Sequence, residues 1–175
     1  YAYSLSLTRS ALINGAYGLY QTDTASTGTS YPIWVASDDL QTDHCFFAGV
    51  YCHKGLDVNL GTKAWIGSTL AGNGIVIDSS HAGSVKIIGA RIAGNAHNGV
   101  AILGGADNKI AHCSIVANSI ASAGTYNGVS VAGGVGDFDI SHNDFGNEIG
   151  VGTNFMYSGV LVASGASDRY TIAHN

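Results

Sequence analysis

Short apolar runs that alternate with polar residues recur through the second half of the chain, and a glycine opens each run. In Asn73–Ile77 the glycine is followed by Ile-Val-Ile, and three later runs have the same form. The repeat glycines are Gly74, Gly99, Gly128 and Gly159. Their separations of 25, 29 and 31 residues indicate one structural unit per repeat. The alternation, with Gly, Asn and Ser at the breaks, predicts short strands and tight turns without helices.

A second phrase recurs in step with the first one. Lys109–Ile115 matches Asp139–Phe145, and Tyr170–Asn175 begins the same phrase again. The distance from each repeat glycine to a following asparagine is nearly constant, whereas the segment from that asparagine to the next glycine varies. We therefore expect loops to lengthen in that segment. Weaker copies at Lys54–Val58 and Tyr31–Val35 extend the repeat upstream, giving about six stacked coils.

These phrases, Asn-Gly-Val-x-Val followed by Ile-x-His-Asn, resemble those of the right-handed parallel β-helix of the pectate-lyase superfamily and of phage tailspikes. The resemblance covers about residues 30–175 and implies an all-β solenoid whose coils stack about 4.8 Å apart around an aliphatic core. We assign residues 31–175 to the β-helix repeats and residues 1–30 to an irregular N-terminal segment or a partial first coil. The chain begins at Tyr1 and stops partway through a repeat, so we expect it to be a fragment of a longer protein.

Composition agrees with this fold and excludes several partners. The chain has 25 glycines and one proline, and 46% of its residues are hydrophobic. A net charge of −5 provides no basic surface for nucleic acid. No apolar run approaches the length that spans a membrane, so we expect no membrane insertion. No cofactor is predicted.

Four histidines recur at what looks like one position of the repeat. The set is His44, His112, His142 and His174. Side chains in register on parallel coils point the same way and do not converge on one ion, so we expect a stacked ladder and no metal site.

Because successive side chains of a strand point to opposite faces, each residue of the glycine runs can be assigned to the inward or the outward face. The predicted inward column is Ile33, Leu56, Ile75, Val100, Val129 and Val160. The predicted outward columns are Trp34, Asp57, Val76, Ala101, Ser130 and Leu161, and Ala36, Asn59, Asp78, Leu103, Ala132 and Ala163. The later coils are apolar on this outer face, which should be covered by long loops or by a neighbouring subunit. The resemblance to tailspikes favours a homotrimer.

Candidate chemistry lies on the outer face of the first coils. In this register Asp57 and Asp78 fall on adjacent coils about 8 Å apart, within the spacing of the two carboxyl groups of an inverting glycosidase. The alternative is a pair of solvated surface carboxylates. Trp34, Lys54 and Asn59 are the predicted substrate-binding residues beside them. A lyase would need a base and a cation, and no arginine falls on this face.

Aromatic residues crowd the N-terminal third of the chain. The tyrosines and tryptophans concerned are Tyr17, Tyr20, Tyr31, Trp34, Tyr51 and Trp65. Rings with polar tips suit sugars, and packing of the N-terminal segment is the alternative explanation.

Three functions follow as expectations. The resemblance implies a virion-associated or otherwise extracellular β-helix that binds, and in some cases depolymerises, a cell-surface polysaccharide. The alternatives are a monomeric polysaccharide-degrading enzyme of the pectate-lyase superfamily and a purely structural fibre spacer. The apolar outer strip and the scarcity of convergent catalytic groups favour the first.

Overall fold

The computed structural model describes residues 3–22, 33–55, 57–146, 156–166 and 169–175. Within these ranges the chain forms seventeen β-strands and no helix. Every strand pairing is parallel, so the protein is an all-β solenoid. The expected fold class is confirmed, with about five turns in place of the six expected.

The strands are short in most coils and long in the first two. The bounds are β1 Tyr3–Ile13, β2 Tyr17–Gln21, β3 Ile33–Asp43, β4 Ala48–Cys52, β5 Val58–Leu60, β6 Trp65–Gly67, β7 Asn73–Ile77, β8 Val85–Ile88, β9 Arg91–Ala93, β10 Val100–Ile102, β11 Asn108–Ala111, β12 Ser114–Val116, β13 Val129–Val131, β14 Phe138–Ser141, β15 Asp144–Gly146, β16 Val160–Val162 and β17 Tyr170–Ala173.

The solenoid has three walls. Wall 1 contains β5, β8, β11, β14 and β17, and wall 2 contains β6, β9, β12 and β15. Wall 3 is a separate sheet in the order β16-β13-β10-β7-β4-β2. The long strand β3 pairs with β5 through one half and with β6 through the other, so it runs through both wall 1 and wall 2. Strand β1 pairs along the whole length of β3, so both strands of the segment 3–21 belong to the stack.

The corner between wall 1 and wall 2 turns on a single residue in the left-handed conformation. Such a residue recurs at this corner along the stack, with φ between 48° and 71°. The series is Arg9, Asp39, Lys63, Gly89, His112, His142 and His174. Three of the four recurring histidines therefore occupy this corner. His44 lies at the next corner, between wall 2 and wall 3, so its predicted equivalence with the other three is wrong.

An aliphatic core fills the interior. The inward column of wall 3 is Leu19, Val50, Ile75, Val100, Val129 and Val160. Most of its members are fully buried, and burial of each such side chain stabilises the fold by about 1.5–3 kcal/mol. The glycine that directly precedes the inward residue is required because the coils pack closely there. A Cβ at Gly74 would lie 2.6 Å from Asn95 Nδ2 and 2.7 Å from the Gly99 carbonyl oxygen.

A buried asparagine ladder stabilises the corner between wall 2 and wall 3. Asn118 Oδ1 accepts hydrogen bonds from the Asn95 backbone N at 3.2 Å and from Asn95 Nδ2 at 2.8 Å. Asn118 Nδ2 donates to the Ile92 carbonyl oxygen at 3.1 Å. Each side chain thus satisfies backbone groups that a buried turn would otherwise leave without partners.

The predicted match between Tyr31–Val35 and Lys54–Val58 is confirmed, because Val35 pairs with Val58 and Ala36 with Asn59, but the predicted equivalence of both segments with the later glycine runs is wrong. Ala48 pairs with Asn73, so Gly49 is the equivalent of Gly74, and Gly55 lies in a corner. Ile33 belongs to the wall 1 half of β3, and Val50 takes the predicted place of Leu56 in the inward column. Leu56 itself lies outside the described residues.

Candidate functional site

Asp57 and Asp78 lie on different walls. Asp57 directly precedes β5 in wall 1, and Asp78 directly follows β7 in wall 3. The premise that they share one sheet face is wrong, because Lys54–Val58 is not the equivalent of the later glycine runs. Their assignment as a catalytic pair stays a prediction.

The hydrogen bonds of both carboxylates favour the ionised form. Asp57 Oδ1 accepts from the Ser84 backbone N at 3.0 Å and from Ser84 Oγ at 2.8 Å, which lowers the pKa of Asp57. Burial of Asp78 opposes ionisation, but hydrogen bonds from the Ser80 backbone N, Tyr51 and His53 outweigh it, so the pKa of Asp78 is also lowered. The general acid of an inverting glycosidase needs a raised pKa, and neither group has one.

The backbones of Trp34, Asp57 and Asn59 lie together on wall 1 as predicted, whereas Lys54 lies in a corner and Asp78 on wall 3. Asn59 is exposed on β5 in wall 1, and Lys54 is exposed in the corner between β4 and β5. Trp34 pairs through its backbone with Ser4, and its side chain lies outside the described residues. Wall 1 therefore carries Asp57 and Asn59, while Asp78 stands on wall 3.

An aromatic cluster, here named the aromatic shelf, covers the outer face of wall 3 in its first coils. It consists of Tyr17 and Tyr20 on β2, Phe46 and Phe47 in the corner before β4, and Tyr51 on β4. Register pairs Tyr20 with Tyr51, and their rings stack at 5.4 Å. Tyr17 lies 5.7 Å from Phe47 between ring centroids. Tyr20, Phe46 and Phe47 remain 45%, 48% and 51% exposed.

Polar groups border the shelf at the end of β7. The Tyr51 hydroxyl donates to Asp78 Oδ2 at 2.8 Å, and His53 Nδ1 lies 3.0 Å from Asp78 Oδ1. Burial and the neighbouring Asp78 carboxylate raise the pKa of Tyr51 to about 12, so its hydroxyl stays a donor at physiological pH. With the His53 proton on Nδ1, Nε2 is left as an acceptor. The shelf thus combines open ring faces with a fixed set of hydrogen-bonding groups.

A signal for the shelf is present in the sequence. The phrases Gly18-Leu19-Tyr20 and Gly49-Val50-Tyr51 are the repeat run with tyrosine at its outward position, 31 residues apart. His53 and the pair Phe46 and Phe47 carry no such signal, because they lie in corners whose lengths differ between coils.

A second recess lies along wall 1 and was not predicted as a unit. It is lined by charged residues at the starts of β8, β11, β14 and β17, together with Asp57 and Asn59. We name it the axial groove. Its charged residues come from five different coils, so sequence spacing alone does not reveal that they form one surface.

The histidine ladder has the expected stacked form. The rings of His112 and His142 lie 5.1 Å apart and those of His142 and His174 lie 4.8 Å apart. Among the residues that the structure describes, no group of three or more His, Cys, Asp and Glu side chains is arranged to hold a metal ion. The described part of the chain also contains no helix long and apolar enough to cross a membrane.

Comparison of the chain with protein-family models, with curated proteins and with solved structures gave no match.

Proposed function

We propose that this chain is a polysaccharide-binding β-helix of the pectate-lyase or tailspike type, and that the aromatic shelf is its binding surface. The observation that supports this proposal is the exposure of contiguous rings on one sheet face, with Tyr20, Phe46 and Phe47 each about half exposed. Large aromatic side chains are buried on average, so a contiguous exposed set indicates a binding surface.

The chemistry of the shelf suits a sugar polymer. Ring faces pack against the CH faces of a pyranose, while polar groups at the edge bind its hydroxyls. Tyr51, His53 and Asp78 supply those groups, and their mutual hydrogen bonds hold them in one orientation before any ligand arrives. Stacking of Tyr17, Tyr20 and Tyr51 likewise fixes the rings.

Calorimetric titration with purified capsular, lipopolysaccharide-derived and plant polysaccharides tests the proposal. Tyr20→Ala and Phe47→Ala should each weaken binding about two- to tenfold, because each removes one stacking face. Tyr157→Ala is the matched control, since Tyr157 is 70% exposed on a later coil outside the shelf. Equal affinity of the shelf variants and the wild type for every polysaccharide would overturn the proposal.

We also propose that the protein acts at the surface of a virion or elsewhere outside the cell, as a homotrimer. Leu103 and Leu161 support a subunit contact, because both are 42% exposed on the outer face of wall 3 in the later coils. Light scattering should give three times the chain mass, and Leu161→Glu should give the monomer. Ile13→Glu, at a 56% exposed position on β1, is the control that should leave the trimer intact. A monomeric wild type would contradict this assembly.

A further inference from the structure

A histidine and a carboxylate form a close pair at the edge of the aromatic shelf. His53 Nδ1 lies 3.0 Å from Asp78 Oδ1, and the two side chains are 31% and 16% exposed. An ionised carboxylate has no proton to donate, so the shared proton belongs to Nδ1 of the neutral imidazole. Nε2 then keeps its lone pair, and it makes no hydrogen bond within the part of the chain that the structure describes.

Donors other than His53 also hold the Asp78 carboxylate in place. The Tyr51 hydroxyl donates to Oδ2 at 2.8 Å, and the Ser80 backbone N donates to Oδ1 at 2.9 Å. Burial alone would raise the pKa of Asp78, but the hydrogen bonds to this carboxylate keep it below its ordinary value. The carboxylate therefore stays ionised, fixes the orientation of the imidazole and stabilises the imidazolium that forms when Nε2 accepts a proton.

The imidazole stands beside open aromatic rings. Its centroid lies 6.1 Å from that of Tyr20, with 26° between the planes, and 6.3 Å from that of Tyr51. Tyr20 is 45% exposed, so a planar group can stack on it without displacing a protein side chain. Because aromatic rings attract one another at centroid separations of about 4.5–7 Å, a ring held on Tyr20 is a neighbour of the imidazole as well.

A histidine with a free Nε2 and an orienting carboxylate has the form of a general base. Among the described residues, no serine hydroxyl or cysteine thiol is hydrogen-bonded to Nε2. Water is therefore the nucleophile that this base activates. A phenol has a pKa of about 10, far below that of an alkyl alcohol, so the ester of a phenol is cleaved with less assistance to the leaving oxygen.

We propose that His53, positioned by Asp78, is the general base of an ester hydrolase, and that its substrate is the carboxylic ester of a phenol whose ring stacks on Tyr20. Nε2 takes a proton from water while the water oxygen bonds to the ester carbonyl carbon. The tetrahedral intermediate then breaks its bond to the phenol oxygen, and the imidazolium returns the proton to that oxygen. One ester and one water thus become a carboxylic acid and a phenol. This activity goes beyond polysaccharide binding and does not depend on it, because the substrate needs no sugar.

Steady-state hydrolysis of phenyl acetate at about pH 8, where an ordinary histidine is neutral, tests the inference through the release of phenol. Cyclohexyl acetate is the control ester, because it is similar in size and has neither an aromatic ring nor a phenol leaving group. The wild type should show saturation with phenyl acetate, at a rate about tenfold or more above that of an equal concentration of 4-methylimidazole. It should give no detectable turnover of cyclohexyl acetate.

Variants separate the base from the stacking ring. His53→Gln should lower kcat about 100-fold, because it removes the general base. Tyr20→Ala should raise KM about two- to tenfold with kcat nearly unchanged, because it removes only the stacking face. His44→Gln is the matched control, since His44 Nδ1 lies 3.2 Å from Asp43 Oδ2 in an exposed pair outside the shelf, and it should leave both constants unchanged.

Asp78 acts through His53 and does not touch the ester, so its test includes the position of the imidazole proton. NMR of ¹⁵N-histidine-labelled protein, with the His53 signal identified by its loss in His53→Gln, should place that proton on Nδ1 in the wild type. Asp78→Asn should move it to Nε2 and lower kcat about tenfold or more without changing KM. A wild type with the proton on Nε2 would overturn the inference.

The outcomes separate this inference from the proposed function. Turnover of phenyl acetate that is no faster than with 4-methylimidazole, or that survives in His53→Gln, would overturn the esterase and leave polysaccharide binding untouched. An unchanged KM in Tyr20→Ala would overturn the stacking of the substrate ring on Tyr20. Turnover by a protein that binds none of the polysaccharides would support the esterase and contradict the proposed function.

Discussion

The first and the later coils of wall 3 differ on the outside and agree on the inside. Their inward positions, such as Leu19 and Val100, are aliphatic throughout. Their outward positions change from Tyr20 and Tyr51 to Ala101 and Leu161. Because alternate residues of a strand face opposite ways, the outer column varies without disturbing the core. One scaffold therefore carries exposed aromatic rings at one end and smaller side chains, Ser130 among them, at the other.

Truncation of a core side chain should have the largest effect on the free energy of unfolding. The size of that effect should depend on which coil carries the side chain. Ile75→Ala lies in the middle of the stack at a fully buried position and should lower the free energy of unfolding by about 2–5 kcal/mol. Leu19→Ala should cost less, because β2 has a described neighbour in wall 3 on one side and Leu19 is 8% exposed. Urea unfolding followed by circular dichroism measures both.

The outward control for this pair is Tyr20→Ala. Tyr20 neighbours Leu19 on β2 but is 45% exposed, so its truncation should change stability far less than that of Ile75. A loss of stability in Tyr20→Ala as large as that in Ile75→Ala would mean that the shelf holds the first coils together. That result would remove the distinction between core and surface drawn above.

The register of the later coils was predictable because each sterically required glycine there follows an asparagine or a serine. At Gly74 and Gly99 the backbone of the next coil and an asparagine side chain leave no room for a Cβ. The first coils are constrained as well, because a Cβ at Gly18 would lie 2.6 Å from the Gly49 carbonyl oxygen and one at Gly49 3.0 Å from the Gly74 carbonyl oxygen. The first coils lack the asparagine before the glycine, since Ala48 occupies that place, and Gly55 in a nearby corner imitates the phrase. The alignment error therefore arose where a corner and a strand share the same short pattern.

The candidate site was predictable only in part, for a related reason. Asp78 was identified, but its partners Tyr51 and His53 come from the preceding coil, 27 and 25 residues away in sequence. Which residues meet across coils depends on the register, so an error of a few residues replaces the true neighbours with others. The axial groove depends on five such matches and was missed as a surface. The stacked histidines were predicted because three of them share one corner.

The shelf and the groove meet at the corner of residues 78–84, where a buried histidine gives a smaller, pH-dependent effect. His81 is 3% exposed, and neither ring nitrogen has a hydrogen-bond partner. Burial lowers the pKa of His81, and attraction to the Asp57 and Asp78 carboxylates on the two sides of the corner offsets only part of this. The neutral imidazole is therefore the form that the folded protein accommodates.

Acid should destabilise the fold through this residue. Well above the ordinary histidine pKa of about 6.5, His81 is neutral in both states and its burial carries no proton-linked penalty. As the pH falls from there toward the lowered folded pKa, the unfolded chain binds a proton that the folded protein does not, so stability declines. Urea midpoints between pH 7.5 and 5 should fall less steeply for His81→Gln than for the wild type. Equal slopes for His81→Gln and the wild type would show that burial of His81 does not contribute to the pH dependence of stability.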